Sequence, residues 1–595
     1  MNKKIPIDYD RATGGLSRRS FITGAAAAGA GALAVSALAG CSPAAPTDAA
    51  AGAAGTGAGS TGSTPSAGIG AFLTPPSPIE DSQITETAET EVVIVGAGVS
   101  GLSAARAAAE EGAKVIVIEK AATWQYRSAQ YGCANSSVMK ELGMVWDTRE
   151  AINELQKEMG YRADSRLLNR WADESGAAFD WMVELAGDNL ELIPMDALEY
   201  DPSKITMQPL HWPAPPAYDI TKEYSPVYPS VITFLPDQGP LLTLVYEKCL
   251  ELGVEFRFST RARQLIRPNN QGRVEGVIYQ TQDGGYGKVL ASRGVVLCGG
   301  DWGSNREMLE YYVPWALRCI NFFPNVDANG ETTNTGDCQQ MGIWIGAKME
   351  DGPHAPMTHT LGSVLGTDCY SLYNAGGCRF VNEDVGGQQL SNQIYRQRSD
   401  IAWQVFDDLY PEQLGEFPDT HGNVNFVKPD GQVAHFEGSE LAVGKSSMIT
   451  REEINNDPSV VKADTLEELA KLMDYSPEAQ TAFLAQVERY NELCDGGKDL
   501  DFGKDARRLF PIRTAPFYAT RIEPGVMLVC LGGLTVDPNS LRVLDPEYQQ
   551  IEGLYAAGNA MGGRIVVDYP VVIAGISHAT ALTFGRLAGQ SIGQS

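Results

Sequence analysis

The stretch from Glu91 to Glu119 restricts this chain more than any other. Glu91-Val92-Val93-Ile94-Val95 is a continuous, β-branched apolar run, as a strand buried on both faces requires. Gly96-Ala97-Gly98-Val99-Ser100-Gly101 follows at once, then a helical pattern from Leu102 to Glu111, then Lys114-Val115-Ile116-Val117-Ile118 ending in Glu119. Strand, glycine turn, helix, strand and terminal acid in register make a complete dinucleotide-binding βαβ unit. The first glycine allows the tight turn, the second lets a pyrophosphate approach the backbone, and the third packs helix on strand. The helix N-terminus offers N–H groups to phosphate, and Glu119 can accept from ribose hydroxyls.

The chain has 595 residues, too many for one core, so two or more domains are expected. Its formal charge of −28 repels nucleic acid and anionic lipid, so no nucleic-acid partner is expected. Ten cysteines occur without any CxxC. Zinc ribbons, iron–sulfur runs and c-type haem attachment have no support, and electrons must come from a separate donor. His354 and His359 lack partners at ligand spacing, so no metal is expected.

The N-terminus reads as an address. Arg18 and Arg19 precede a soft apolar run from Phe21 to Ala39, the pattern of a twin-arginine export signal. Leu38-Ala39-Gly40-Cys41 resembles a lipoprotein box, which would make residues 1–41 a signal and tie Cys41 to a membrane; plain cleavage is the alternative. Residues 42–88 are rich in Ala, Gly, Ser, Thr and Pro, a composition expected to stay disordered as a linker. The implied location is the cell envelope, facing outside the cytoplasm.

Further segments select among dinucleotides. Ile551-Glu552-Gly553-Leu554-Tyr555-Ala556-Ala557-Gly558-Asn559 resembles the closing strand and turn of flavoproteins of the fumarate reductase and 3-ketosteroid dehydrogenase superfamily. Gly294–Asp301 resembles the strand that re-enters their FAD domain. Thr335-Gly336-Asp337 and Gly377-Cys378-Arg379-Phe380-Val381-Asn382-Glu383 resemble two signatures of their second domain, and Ala581–Gly585 their final helix. The resemblance implies an α/β fold, a Rossmann-like FAD-binding domain with an inserted α+β capping domain. It divides the chain into FAD-binding parts at 88–305 and 506–595 around a capping, substrate-binding part at 306–505. Implied cofactor contacts are Gly96, Gly98, Val99, Ser100, Gly101, Glu119, Lys120, Gly132, Ala262, Gly300, Asp301, Asp337, Gly558, Asn559, Ser577 and His578. No flavinylation motif stands out, so FAD is expected to be noncovalent. A helix beginning near Gly575 would direct its positive end at the flavin and raise its potential.

Departures from the resemblance shape the reaction expected. Where dicarboxylate reductases of this superfamily carry a proton-donating Arg, four positions after the Glu of the Arg-Phe-Val-Asn-Glu signature, this chain has Gly387. Their second Arg, six positions beyond Gly562-Gly563, is here Tyr569, and their substrate-binding His corresponds to Val529 or Cys530. A dicarboxylate needs charge-assisted partners, so fumarate itself is disfavoured. Tyr569-Pro570 instead resembles the Tyr-Pro of 3-ketosteroid dehydrogenases, although their second Tyr is Gly387 here.

The expected activity is reduction of an activated C=C bond in a small unsaturated substrate by hydride from flavin N5, with an external membrane or cytochrome-type electron donor. Tyr569 would donate the proton or hold the carbonyl. Arg396, with Arg398, could reach a carboxylate or enolate. Tyr126, Tyr131, Tyr370 and Tyr373 could supply another phenol, and Trp124, Trp212, Trp302 and Trp344 an aromatic lining. Rival readings are reduction of a small unsaturated acid using Arg396 or Arg564, ketosteroid dehydrogenation, and a non-catalytic flavin-binding lipoprotein.

Overall fold

The computed structural model describes residues 70–595 apart from 128–129, 142–144, 191, 194–230, 235–237, 320, 323–324, 328–329, 362–364, 366–369, 386, 414–424, 428–447, 571 and 574. The export signal, Cys41, the first part of the linker and Trp212 therefore lie outside the described residues.

The sequence alternates from strand to helix as expected: β1 (Ile84–Val95), α1 (Val99–Glu110) and β2 (Val115–Ile118). A long α2 (Ser165–Ala186) and α3 (Gly239–Glu251) follow, then β3 (Glu255–Arg257), β4 (Thr260–Ile266), β5 (Gly276–Thr281) and β6 (Tyr286–Leu297). β1 pairs in parallel with β2, Val92 opposite Val115, and with β6, Val92 opposite Gly294. Val92, Val93 and Ile94 are fully buried. Each such burial contributes about 1.5–3 kcal/mol, which is why this run is uniformly apolar rather than alternating.

The next region builds a second sheet. It contains β7 (Asn321–Phe322), α4 (Asp337–Trp344), β8 (Ala355–Leu361), β9 (Ser371–Asn374), α5 (Gly387–Ile394), β10 (Ala402–Asp407), β11 (Val460–Ala463), α6 (Pro477–Asp495) and β12 (Phe517–Leu531). β7, β8, β10 and β11 all pair with β12. The chain then returns to the first sheet through β13 (Arg542–Leu544) and β14 (Gln550–Ala556), and ends in α7 (Ile576–Gly593). The first sheet runs β13-β14-β6-β1-β2-β3, with β5 joined to β6 and β4 to β5.

Two expected boundaries shift. The strand Phe517–Leu531 lies within the part expected to belong to the FAD domain, yet its partners are those of the second sheet. Order also begins before residue 88. Phe72 is buried with its ring 5.5 Å from Tyr311 and 5.6 Å from Tyr312, and β1 already starts at Ile84. The Phe72 ring and the Ile84 backbone, in register with Tyr286, find partners far along the chain that local composition does not reveal.

Inside the second region, Arg379 of the Arg-Phe-Val-Asn-Glu segment is buried. It pairs with Glu383 and Asp499 at 2.7 and 2.8 Å, and Lys504 lies 3.6 Å from Glu383. Arg508 pairs with Asp384 at 2.6 Å. These residues close the cap on itself, in keeping with how seldom a charge is buried unpaired.

Candidate active site

The turn after β1 is packed so tightly that glycine is required. A Cβ on Gly101 would stand 1.9 Å from the Gly96 carbonyl oxygen, and Gly96 itself has φ 103. A Cβ on Gly98, by contrast, would meet only the Gln125 oxygen at 3.6 Å, so this face of the turn is open to a ligand. Gly98 caps α1 with no side-chain hydrogen bond, leaving the N-terminal N–H groups around Val99 and Ser100 suited to a phosphate. Glu119 accepts from the Ala97 and Ala121 N–H groups at 2.7 and 2.8 Å. Burial pushes its carboxyl up against the pull of those two donors.

Lys120 reaches across to the start of α4. Its Nζ donates to Thr335 at 2.8 Å and pairs with Asp337 at 3.0 Å. Arg261 pairs with the other Asp337 oxygen at 2.8 Å. Burial alone would raise the Asp337 carboxyl, but the two cations hold it well below the usual carboxylate range. Ala262 stands at a register shift between β4 and β5, where backbone groups leave the regular ladder. Glu119, Lys120, Ala262 and Asp337 thus come together from three separate stretches.

The other end of the site is built around α7. Its cap, Gly575, has φ 71 and no side-chain hydrogen bond, and the Gly575 carbonyl accepts from Gly132 N–H at 3.2 Å. Ser577 and His578 lie in the first turn of α7, the His578 ring 6.0 Å from Tyr131. A Cβ on Gly558 would stand 2.4 Å from Ser100 Oγ, which presses the closing turn onto α1. Gln339, fully buried, donates to the Gly300 and Asn559 carbonyls, both at 3.0 Å, and so joins the two turns. Asp301 also has a structural part. Its oxygens accept from Arg127, Asn334 and Gly303 at 2.8 Å each, and from Cys530 N–H at 3.3 Å. Its side chain therefore holds the two sheets together.

Between these ends runs the segment Arg564–Tyr569. Arg564 is buried, donating to Thr580 at 2.6 Å and to the Asn559 side chain. Its Nε has no hydrogen-bond partner. Desolvation pushes the guanidinium down to about 10, against the opposing charges of Glu350 and Tyr569. Tyr569 is buried, and its N–H is held by Asp568 at 2.9 Å. Arg396 and Arg398, by comparison, are exposed in the turn after α5. Gly387 is the first residue of α5.

The remaining candidates sort by packing. Tyr131 is buried and donates to Gln238 at 2.7 Å. Tyr370 and Tyr373 fill hydrophobic clusters of the second region. Tyr126 is half-buried beside Trp124. Trp302 donates to the Gly532 carbonyl and Trp344 to the Phe72 carbonyl, each at 2.8 Å. His354 is buried edge-on against Tyr312 and Trp302, with Nδ1 3.7 Å from Glu350. Cys530 is fully buried and Val529 half-buried. Among the described residues no cluster suited to a metal ion occurs.

The open face at Gly98, the N-terminal amides of α1, the Glu119 carboxyl and the α7 N-terminus form a cradle suited to a bound dinucleotide. Residues 91–567 match the model of the FAD binding domain family. The chain belongs to this family. It is an FAD-dependent flavoprotein oxidoreductase, and the cradle residues are those that would hold FAD. It is 27% identical over 534 residues to a vinyl phenol reductase of Lactiplantibacillus plantarum, covering 85% of this chain and 96% of that one. It is 25% identical to a digoxin reductase of Eggerthella lenta, covering 85% and 87%. It is also 25% identical to a fumarate reductase (cytochrome) of Shewanella frigidimarina, covering 84% and 76%. The solved 3-ketosteroid-Δ4-(5α)-dehydrogenase of Rhodococcus jostii RHA1 superposes with a TM-score of 0.63 at 21% identity, covering 87% of this flavoprotein and 100% of that chain. A flavocytochrome c3 fumarate reductase superposes with 0.57 at 23% identity, covering 86% and 79%. The last two likenesses establish the fold.

Sequence reasoning passed over Gln339, Glu350, Thr580, Gln388, Asn392 and Asp568. None belongs to a motif. Asp568 adjoins Tyr569, and this adjacency was its one visible signal.

Proposed function

We propose that this flavoprotein reduces a C=C bond activated by a carbonyl or comparable group. Support comes from Tyr569, a buried phenol beside a buried arginine, and from a cap helix that opens with Gly387 rather than a cation. The relatives named as reductases of vinyl phenol and digoxin are in keeping with this chemistry. Bound FAD supplies the hydride. Tyr569 holds the carbonyl or donates a proton, Arg564 steadies the developing negative charge, and the cap excludes water. Electrons arrive from an external donor. Export by the Arg18-Arg19 signal and anchoring through Cys41 would place the reaction in the cell envelope, a location that suits respiratory use of an electron acceptor.

The observation that carries this reading is the burial of Tyr569 next to Arg564. Anaerobic assay with reduced viologen dye against enones, cinnamates, steroids and fumarate tests it. Enone or cinnamate turnover is expected; fast fumarate turnover without either would overturn the substrate class. A second reading, a small unsaturated acid, is favoured by Arg564 alone, a buried cation whose Nε has no hydrogen-bond partner. A large loss of kcat/KM on an acid substrate in Arg564→Ala, with FAD content preserved, would support it. The same loss in Arg396→Ala would instead bring the exposed arginine into the site.

A further inference from the structure

Val567 has φ 69, a left-handed conformation that a β-branched residue adopts only where its surroundings impose it. It lies two residues before Tyr569. One short loop, just ahead of β8, holds this segment at two points. The Val567 N–H donates to the Pro353 carbonyl at 2.8 Å, and the Asp568 N–H donates to the Val566 carbonyl at 2.8 Å, closing a three-residue turn centred on Val567. Three residues before Pro353 stands Glu350. Its Oε2 accepts from the Gly563 N–H, where the segment begins.

Glu350 is buried, and its two oxygens serve different parts of the chain. Oε1 accepts from the Gly533 N–H at 3.0 Å, just beyond β12, and the Glu350 N–H returns a bond to the Gly533 carbonyl at 2.9 Å. The carboxylate thus joins the end of the second sheet to the closing turn of the cofactor half. A Cβ on Gly562 would stand 2.8 Å from its Cδ, so glycine at that position is what admits it. From the other side, the Gly563 carbonyl accepts from the Asp164 N–H at 2.7 Å. A carboxylate offers two acceptors and no donor, which matches two N–H groups; an amide would turn a donor on one of them. The Glu350 charge also favours the charged form of Arg564, which donates to the neutral Thr580 and Asn559 side chains.

We propose that Glu350 is a positioning residue: with the Pro353 carbonyl it fixes residues 563–569 and so sets where the Tyr569 hydroxyl stands. This rests on the C=C reading above, in which that hydroxyl holds the substrate carbonyl or donates a proton. Both Glu350 oxygens are taken by backbone N–H groups, so it acts through the segment and not on the substrate. At the far end of the segment Asn392 of the cap helix α5 donates to Asp568. The phenol is therefore carried by a strained turn fastened to both halves of the molecule. Misplacing a reacting group by about 1 Å can slow a reaction on the order of 10²-fold, which gives the distant bond to Gly563 a lever on turnover.

The test compares wild type, Glu350→Gln, Glu350→Asp, Tyr569→Phe and the double variant Glu350→Gln with Tyr569→Phe. Glu350→Gln should keep its FAD and its rate of reduction by viologen dye, while reoxidation by cyclohexenone or cinnamate slows on the order of 10- to 10²-fold. Placed in Tyr569→Phe, the same change should slow it by less than about a further twofold, because residues that act through one another are not additive. Glu350→Asp keeps the charge but draws the oxygens back by one methylene, so it should slow reoxidation as well. Amide exchange gives a readout free of turnover: the Gly563 and Val567 N–H groups should exchange faster in Glu350→Gln than in wild type, with Val92–Val95 of β1 unchanged. Losses that multiply in the double variant, a wild-type rate in Glu350→Gln or Glu350→Asp, or unchanged exchange at Gly563 and Val567 would overturn the assignment. A wild type that no activated alkene reoxidises would overturn the C=C reading instead; exchange at those two amides would then decide by itself whether Glu350 fixes the segment.

Discussion

Arg564 donates to the Thr580 hydroxyl at 2.6 Å, tying the segment that carries Tyr569 to the first turns of α7. The same guanidinium reaches the Asn559 side chain, so one planar fork spans the closing turn and the helix. Lysine, a single point charge, cannot span both. Arg564→Lys should therefore fold with a lower Tm, since a hydrogen bond to a charged group contributes about 1.5–3 kcal/mol. Thermal unfolding of the variant beside wild type checks this, and an unchanged Tm would show that the bonds to Thr580 and Asn559 add nothing to the fold.

Gly101→Ala should give protein with little or no bound FAD. The added Cβ would stand 1.9 Å from the Gly96 oxygen, so the turn that approaches the phosphates must open. The flavin absorbance of the purified variant reports the outcome directly.

Tyr569→Phe removes one hydroxyl from a buried ring and leaves the cradle intact. FAD content should match wild type while kcat falls on the order of 10²-fold. Turnover equal to wild type would take this phenol out of the reaction.

Asp568 also predicts how stability changes with pH. Its carboxyl lies at about 7 in the folded protein and near 3.9 in an unfolded chain. The folded state binds this proton more tightly, so its contribution is complete below about pH 4 and is lost as pH rises through about 7. Thermal unfolding of wild type should lose stability across that window relative to Asp568→Asn, which has no proton to release. Parallel Tm profiles for the two proteins from pH 4 to 8 would contradict the burial that raises this group.

Glu383→Gln should lower the unfolding temperature of the cap. It leaves the buried Arg379 with Asp499 as its remaining carboxylate partner, and breaking a buried pair costs about 3–5 kcal/mol. Asp499 is pulled down to about 2 despite its burial, because Arg379 bonds it and opposes its charge. Its stabilising contribution is present above about pH 4 and lost as pH falls toward 2. Calorimetry of wild type and variant from pH 7 to 3 measures both effects.

Much of the cofactor half was legible along the chain because its signals are local. A buried parallel strand must be apolar throughout, so Val92–Val95 and Val115–Ile118 declare themselves. The turn between them tolerates only glycine at Gly96 and Gly101. The second sheet was less visible, because β12 gathers strands from 321 to 463 onto one long segment, and no local pattern announces such partners. Asp301 has contacts that position in the chain does not announce. It lies where a cofactor contact was expected, and its oxygens also accept from Arg127, Asn334, Gly303 and Cys530.

Local sequence determined the dinucleotide unit and Tyr569 as a residue of interest, since each depends on spacing within a few tens of residues, and several such short segments in order along the chain pointed to the flavoprotein family. Only the tertiary structure decided which polar groups are removed from water and what then faces them. Asn392 and Asp568 stand 176 residues apart in the chain and share one hydrogen bond. Burial at that junction, a property of no single segment, turns an ordinary aspartate into a group able to hold a proton at neutral pH.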